Sequence, residues 1–217
     1  MQVSIRHGGV DSATLAEIFY HRYYDPPPAL ARIVGEPAVI LDLGANVGLF
    51  GAFAAARWPR SQIVAFEPDP ENAALLERTV VANCLGARWR LERAAVGPRN
   101  GEVSFATGLN VDSHIVDGPA DAADEHVMKV RVHDVLVELA AADLVKMDIE
   151  GGEWAILCDP RFAEYPPRCL VLEYHPRGSP EPSPRSALLH VLERAGMTTE
   201  SIWHGQDGHG MLWAWRP

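Results

Sequence analysis

Charged side chains stand where a buried strand should have none. The stretch LVKMDIEG, residues 144–151, sets Lys146, Asp148 and Glu150 at alternate positions, with Val145, Met147 and Ile149 at the others. Strand side chains alternate between faces, so the charged residues share one side and the apolar ones the other. Central strands of a parallel sheet are ordinarily apolar on both faces, and an isolated buried charge is prohibitively unfavourable. These groups therefore need partners or a ligand. A second run, CLVLEYH at 169–175, repeats the pattern with Glu173 and His175 on one face at its end. Asp148 and His175 have the chemistry of a general base for a hydroxyl, and Glu150 and Glu173 that of positioning partners. Asp148, Glu150, Glu173 and His175 also offer hard oxygen atoms and one imidazole to a divalent ion such as Mg²⁺ holding a diol. The plainer readings are a structural ion pair for Lys146 and a hydrogen-bonding role for Glu173 and His175.

A second constellation lies earlier. VILDLGANVGLFG, residues 39–51, runs from an apolar stretch holding Asp42 into Gly44, Gly48 and Gly51. Glycines there permit unusual torsions and close approach of a ligand to the chain, and the helix that follows can offer N–H groups to a polar ligand. The spacing is not the G-x-G-x-x-G of dinucleotide binding. The next apolar run ends in FEPDP, and Glu67 falls 67 − 48 = 19 residues after Gly48. An acidic residue at that distance can accept both hydroxyls of a ribose. The alternative is a helix cap by Glu67 or Asp69.

The elements that must position these groups alternate. Strands are expected at 38–43, 62–67, 88–96, 127–132, 143–149 and 169–175. Helices are expected at 11–25, 47–57, 70–83, 133–140, 151–159 and 183–196. Residues 198–205 and 210–217, joined by QDGH, read as an antiparallel hairpin. Alternating strands and helices predict an α/β fold with a parallel sheet covered on both faces. One domain over 1–217 is expected, with an N-terminal helical cap (1–30) and an inserted loop or lid (106–126). Tyr20, Tyr23 and Tyr24 of the cap read first as core packing and second as closing over a ligand; Ser113 and His114 of the loop are candidates to touch a substrate. Trp203, Trp213 and Trp215 are expected in the core.

Composition narrows the partners. The net charge of −10 and the lack of a Lys/Arg cluster disfavour a nucleic acid. The three cysteines show no metal-ligand spacing, and their odd number argues against a closed disulfide framework. No apolar run approaches the roughly 20 residues of a membrane span, and MQVSIRHGGVDSATL is no signal peptide. A cytoplasmic protein acting on a small molecule is expected; its oligomeric state is not legible.

The runs VILDLGANVG, VAFEPDP, AAVG with GEVSF, and above all VKMDIEGGEW resemble the FkbM-type family of S-adenosylmethionine-dependent methyltransferases, from about Val39 to His175. His133 departs from the pattern, standing where a leucine is commoner. The resemblance implies the Rossmann-like class I methyltransferase fold, a seven-stranded sheet of order 3-2-1-4-5-7-6 with strand 7 antiparallel. It implies Asp42, Gly44, Asn46 and Gly48 at the methionine part of S-adenosyl-L-methionine, Glu67 at its ribose, and Ala94 or Ala95 beside adenine. It also implies methylation of a hydroxyl on a small molecule, a sugar or a natural product; N-methylation is the alternative acceptor chemistry. The rivals from other classes are a nicotinamide-dependent oxidoreductase, which the glycine spacing disfavours, and a non-catalytic protein on a cofactor fold.

Overall fold

The computed structural model describes residues 1–7, 9–108, 114–115 and 126–217. Most of the inserted loop, Ser113 included, lies outside the described residues, and of His114 only the backbone is described. In chain order the elements are α1 (Asp11–Phe19), α2 (Pro28–Val34), β1 (Val39–Leu43), α3 (Leu49–Arg57), β2 (Gln62–Phe66), α4 (Pro70–Ala82) and β3 (Trp89–Glu92). Then come β4 (Ala95–Gly97), β5 (Gly101–Ala106), β6 (His114–Ile115), β7 (Val127–Asp134), α5 (Leu136–Ala141), β8 (Leu144–Met147), α6 (Glu153–Leu157) and α7 (Pro160–Glu164). The chain closes with β9 (Cys169–Tyr174), α8 (Pro184–Arg194), β10 (Thr198–His204) and β11 (Gly210–Trp215).

Seven strands form the main sheet, in the order β10-β11-β9-β8-β1-β2-β3. Strands β1, β2, β3, β8 and β9 run parallel, and β11 lies antiparallel between β9 and β10. Counting this sheet's strands alone gives the expected 3-2-1-4-5-7-6. The difference lies between β3 and β8, where four strands build a separate sheet of order β4-β7-β5-β6. The single strand expected at 88–96 is thus split between two sheets: β3 ends at Glu92, and Ala95–Gly97 pair with β7.

Local signals set several boundaries. Asp69 caps α4 by accepting from the amides of Glu71 and Asn72, with Pro70 opening the helix, and Ser183 with Pro184 does the same for α8. Asp11, at the start of α1, is held by Arg6, whose backbone amide and guanidinium both donate to it; Val10 takes the cap position. The helix expected over 11–25 stops at Phe19, and α2 was not foreseen.

Strand alternation divides the core. Ile40 and Leu144 pack with α1, α2, α3 and Trp213 on one face. Leu41, Leu43, Val145 and Met147 pack with α5 to α8 on the other. Asp42 and Lys146 therefore belong to the α3 face, where the β1–β8 register sets them side by side.

Candidate active site

The parallel strands end around a cleft of about 570 Å³, within the range typical of small-molecule sites. Its walls are the 44–50 turn after β1, Phe66–Pro68 after β2, Ala94–Val96, and Lys146 to Gly152 at the end of β8. Glu173, His175, the β10–β11 turn, α1 and Tyr24 complete the lining. This is where an open α/β sheet binds its ligands.

At the glycine turn the geometry refines the sequence reading. Gly44 has φ +74°, and a Cβ there would lie 1.9 Å from the carbonyl oxygen of Asp148. A Cβ on Gly51 would lie 2.0 Å from the Trp89 ring. Gly44 thus seats the neighbouring strand end as well as bordering the cleft, and Gly51 seats the indole. The turn's amides are already engaged: Gly44 and Ala45 donate to Phe66 O, Gly48 to Ala45 O, and Val47 to the Asn46 side chain. Asn46, itself at φ 49°, donates its amide to Glu67 Oε2 at 2.7 Å. The amides of residues 44–48 are thus bonded within the protein.

Glu67 is buried, and its other oxygen accepts from the Asp69 amide at 2.8 Å. It ties the β1 turn to the end of β2, while Asp69 does the capping. Burial outweighs these donors and pushes its carboxyl up to about 7. Ala94 and Ala95 also line the cleft.

Asp42 does not reach the cleft surface. It is fully buried beneath it, 3.6 Å from Lys146 Nζ, and burial raises its carboxyl to about 6 against the pull of that ammonium. Lys146 donates to the carbonyls of Leu43 at 3.3 Å and Gly44 at 2.6 Å, and stands 3.7 Å from Asp148 Oδ2. The structural ion pair weighed for Lys146 is present, and the same ammonium also joins the mouths of β1 and β8.

The charged face expected along 146–150 converges for a different reason than strand alternation. β8 ends at Met147, and Glu150 sits in a left-handed turn at φ 53°. That turn brings Glu150 Oε2 to 3.2 Å from His175 Nε2. His175 Nδ1 lies 3.0 Å from Glu153 Oε1. Asp148, Glu150 and His175 each bring one atom within 4.8 Å of the others, close enough to share a cation; here the imidazole is paired with the carboxylates. Burial opposes a charge on His175, but the Glu153 hydrogen bond and the Glu153, Asp148 and Glu150 charges raise its pKa to about 9. Burial and then the Asp148 charge push Glu173 up to about 8.

Several lining residues escaped the sequence reading. Glu17 and Ile18 come from α1, and Asp207 and His209 from the final turn. Tyr24 is buried against the cleft, whereas Tyr20 is 80% exposed. Trp213 and Trp215 are core as expected, and Trp203, half-buried against that core, also lines the cleft. Glu153, the last acid of VKMDIEGGEW, carried the one signal that could have been followed.

Residues 42–196 match the model of the methyltransferase FkbM domain. The chain belongs to the FkbM methyltransferase family. A curated member, 31-O-demethyl-FK506 methyltransferase FkbM of Streptomyces tacrolimicus, is 28% identical over 63% of this chain and 65% of its own length. The AMB antimetabolite synthetase AmbE of Pseudomonas aeruginosa is 61% identical over 76% of this chain, which matches 10% of that protein. The chain thus spans under two thirds of the length of these relatives. In fold it is similar to the crystal structure of methyltransferase FkbM from Methylobacillus flagellatus. The TM-score is 0.56 and the identity 18%, covering 82% of this chain and 43% of that one. Among the described residues no helix is long and apolar enough to cross a membrane.

Proposed function

We propose that this chain transfers a methyl group from S-adenosyl-L-methionine to a hydroxyl of a small molecule. The observation that carries the reading is that one cleft is lined both by the glycine turn with Glu67 and by Asp148, Glu150, Glu173 and His175. The relative named for 31-O-demethyl-FK506 supports an oxygen as acceptor.

The cleft's volume and the acceptor oxygens of Glu67 suit the cofactor. Gly44 and Asn46 would border its methionine part, Glu67 would accept its ribose hydroxyls, and Ala94 and Ala95 would flank adenine; Gly48, packed toward Leu76 and Trp89, shapes the turn rather than lining the cleft. Asp42 acts one layer down, by holding Lys146. The cofactor supplies an electrophilic methyl on a sulfonium, so much of the protein's contribution is alignment, for which well-oriented systems gain roughly 7–11 kcal/mol. Asp148 takes the proton that the acceptor hydroxyl loses as its oxygen becomes methylated. A general base contributes about 10²–10⁴-fold, so Asp148→Asn should bind S-adenosylhomocysteine normally and lose methyl transfer by that order. Full turnover in that variant removes the assignment.

The second reading is metal assistance on a diol. Its support is the 4.8 Å convergence of Asp148, Glu150 and His175, and turnover that survives exhaustive EDTA treatment would dispose of it.

A further inference from the structure

Glu153 has no role in the scheme above, yet it is a fully sequestered carboxylate beside His175. It is fully buried at the start of α6. Its Oε1 accepts from the amides of Ile149 at 3.0 Å and Gly151 at 3.3 Å, and lies 3.0 Å from His175 Nδ1. One oxygen thus gathers the segment after β8, the left-handed turn that carries Glu150, and the residue after β9. Across the ring, Nε2 stands 3.2 Å from Glu150 Oε2. An ionised carboxylate only accepts hydrogen bonds, so an imidazole flanked by two of them satisfies both when each nitrogen carries hydrogen.

Resting on the methyl-transfer reading, we infer that Glu153 is a positioning residue: through His175 it fixes Glu150 beside Asp148, and the ring acts as a donor to both carboxylates rather than as the base. Of the two candidate bases, Asp148 is then the one that keeps proton-accepting capacity, and its Oδ1 is buried without a hydrogen-bond partner. The groups around the ring agree. Glu150, Glu153 and Asp148 face it with negative charge, and buried Glu173 lies close enough for its own pKa to feel the ring. From the β10–β11 turn, His209 meets it edge-on at 5.1 Å, with Asp207 paired to that second ring at 3.1 Å. Burial favours the neutral imidazole, and the carboxylates outweigh it.

The ring can be read directly by long-range proton–nitrogen correlation on histidine-labelled protein at about pH 7.5, roughly a unit above the pKa of a free imidazole. His175→Gln assigns the signals. Wild-type protein should show hydrogen on both nitrogens of His175. Glu153→Gln, which keeps the shape but not the charge, should lose one of them while the affinity for S-adenosylhomocysteine is unchanged. A wild-type ring with one bare nitrogen overturns the proposal without any variant having to fold. A Glu153→Gln ring that keeps both hydrogens overturns it too. Failure of wild-type protein to bind S-adenosylhomocysteine would instead sink the methyl-transfer reading, and the ring signature would still decide the role of Glu153.

Discussion

Lys146 Nζ stands 3.6 Å from Asp42 Oδ1 while the backbone register sets the two residues opposite one another on β1 and β8. This buried pair joins adjacent parallel strands just below the cleft. The ammonium also holds the Leu43 and Gly44 carbonyls, so the shape of the glycine turn depends on it.

Removing the ammonium should therefore be severe. Breaking a buried pair from one side costs about 3–5 kcal/mol, because it leaves an uncompensated buried charge. Lys146→Met should lose stability on that scale in denaturant titration. Adding Asp42→Asn should recover part of the loss, giving a clear coupling energy in the double-mutant cycle. Additive losses would contradict the pairing.

Two glycines should tolerate no side chain. Gly44→Ala would press a Cβ to 1.9 Å from Asp148 O at a positive φ, and Gly51→Ala would press one to 2.0 Å from Trp89. Both should lower the melting temperature strongly, and Gly44→Ala should also weaken binding of S-adenosylhomocysteine by parting β1 from β8. Gly101→Ala, with nothing within 4 Å, is the tolerant control.

Stability should fall as pH rises. Asp42, Glu67, Glu173 and His175 are raised to about 6, 7, 8 and 9 from ordinary values of 3.8, 4.5, 4.5 and 6.5. The folded protein therefore binds more protons than the unfolded chain between about pH 4 and 9, and stability declines as pH rises through that window. Chemical unfolding of the ligand-free protein at pH 5, 7 and 9 would check the order; a maximum at pH 9 would refute it.

Ligand binding should carry its own pH signature. With its carboxyl near 7, Glu67 is largely protonated below neutrality and accepts ribose hydroxyls best when ionised. Binding of S-adenosylhomocysteine should weaken from pH 8 to pH 6 and release protons, detectable by calorimetry in buffers of different ionisation enthalpy. Glu67→Gln should flatten that dependence and bind more weakly throughout.

Much of this architecture was legible in the sequence because apolar runs, caps and glycines act locally. VILDL, LVKM and CLVLEY could only be buried parallel strands, and the Asp69–Pro70 and Ser183–Pro184 starts carry their own hydrogen-bonding logic. The split of 88–97 between two sheets was hidden because both halves are equally strand-like, and pairing with β7 is a long-range choice. The carboxylates after β8 were found for a partly wrong reason. Alternation was extended past Met147, whereas Glu150 arrives through a left-handed turn that a non-glycine residue seldom adopts. Glu153 was missed since a buried helix-start acid looks like an ordinary first-turn carboxylate until β9 is folded against it.

The central claim is that this cleft holds an S-adenosyl cofactor, and calorimetric titration of the purified protein with S-adenosylhomocysteine and, separately, with NADH tests it most directly. The account expects saturable one-to-one binding of S-adenosylhomocysteine, weakened by Gly44→Ala, and no heat from NADH. No binding of S-adenosylhomocysteine to folded wild-type protein, or tighter binding of NADH, would contradict it.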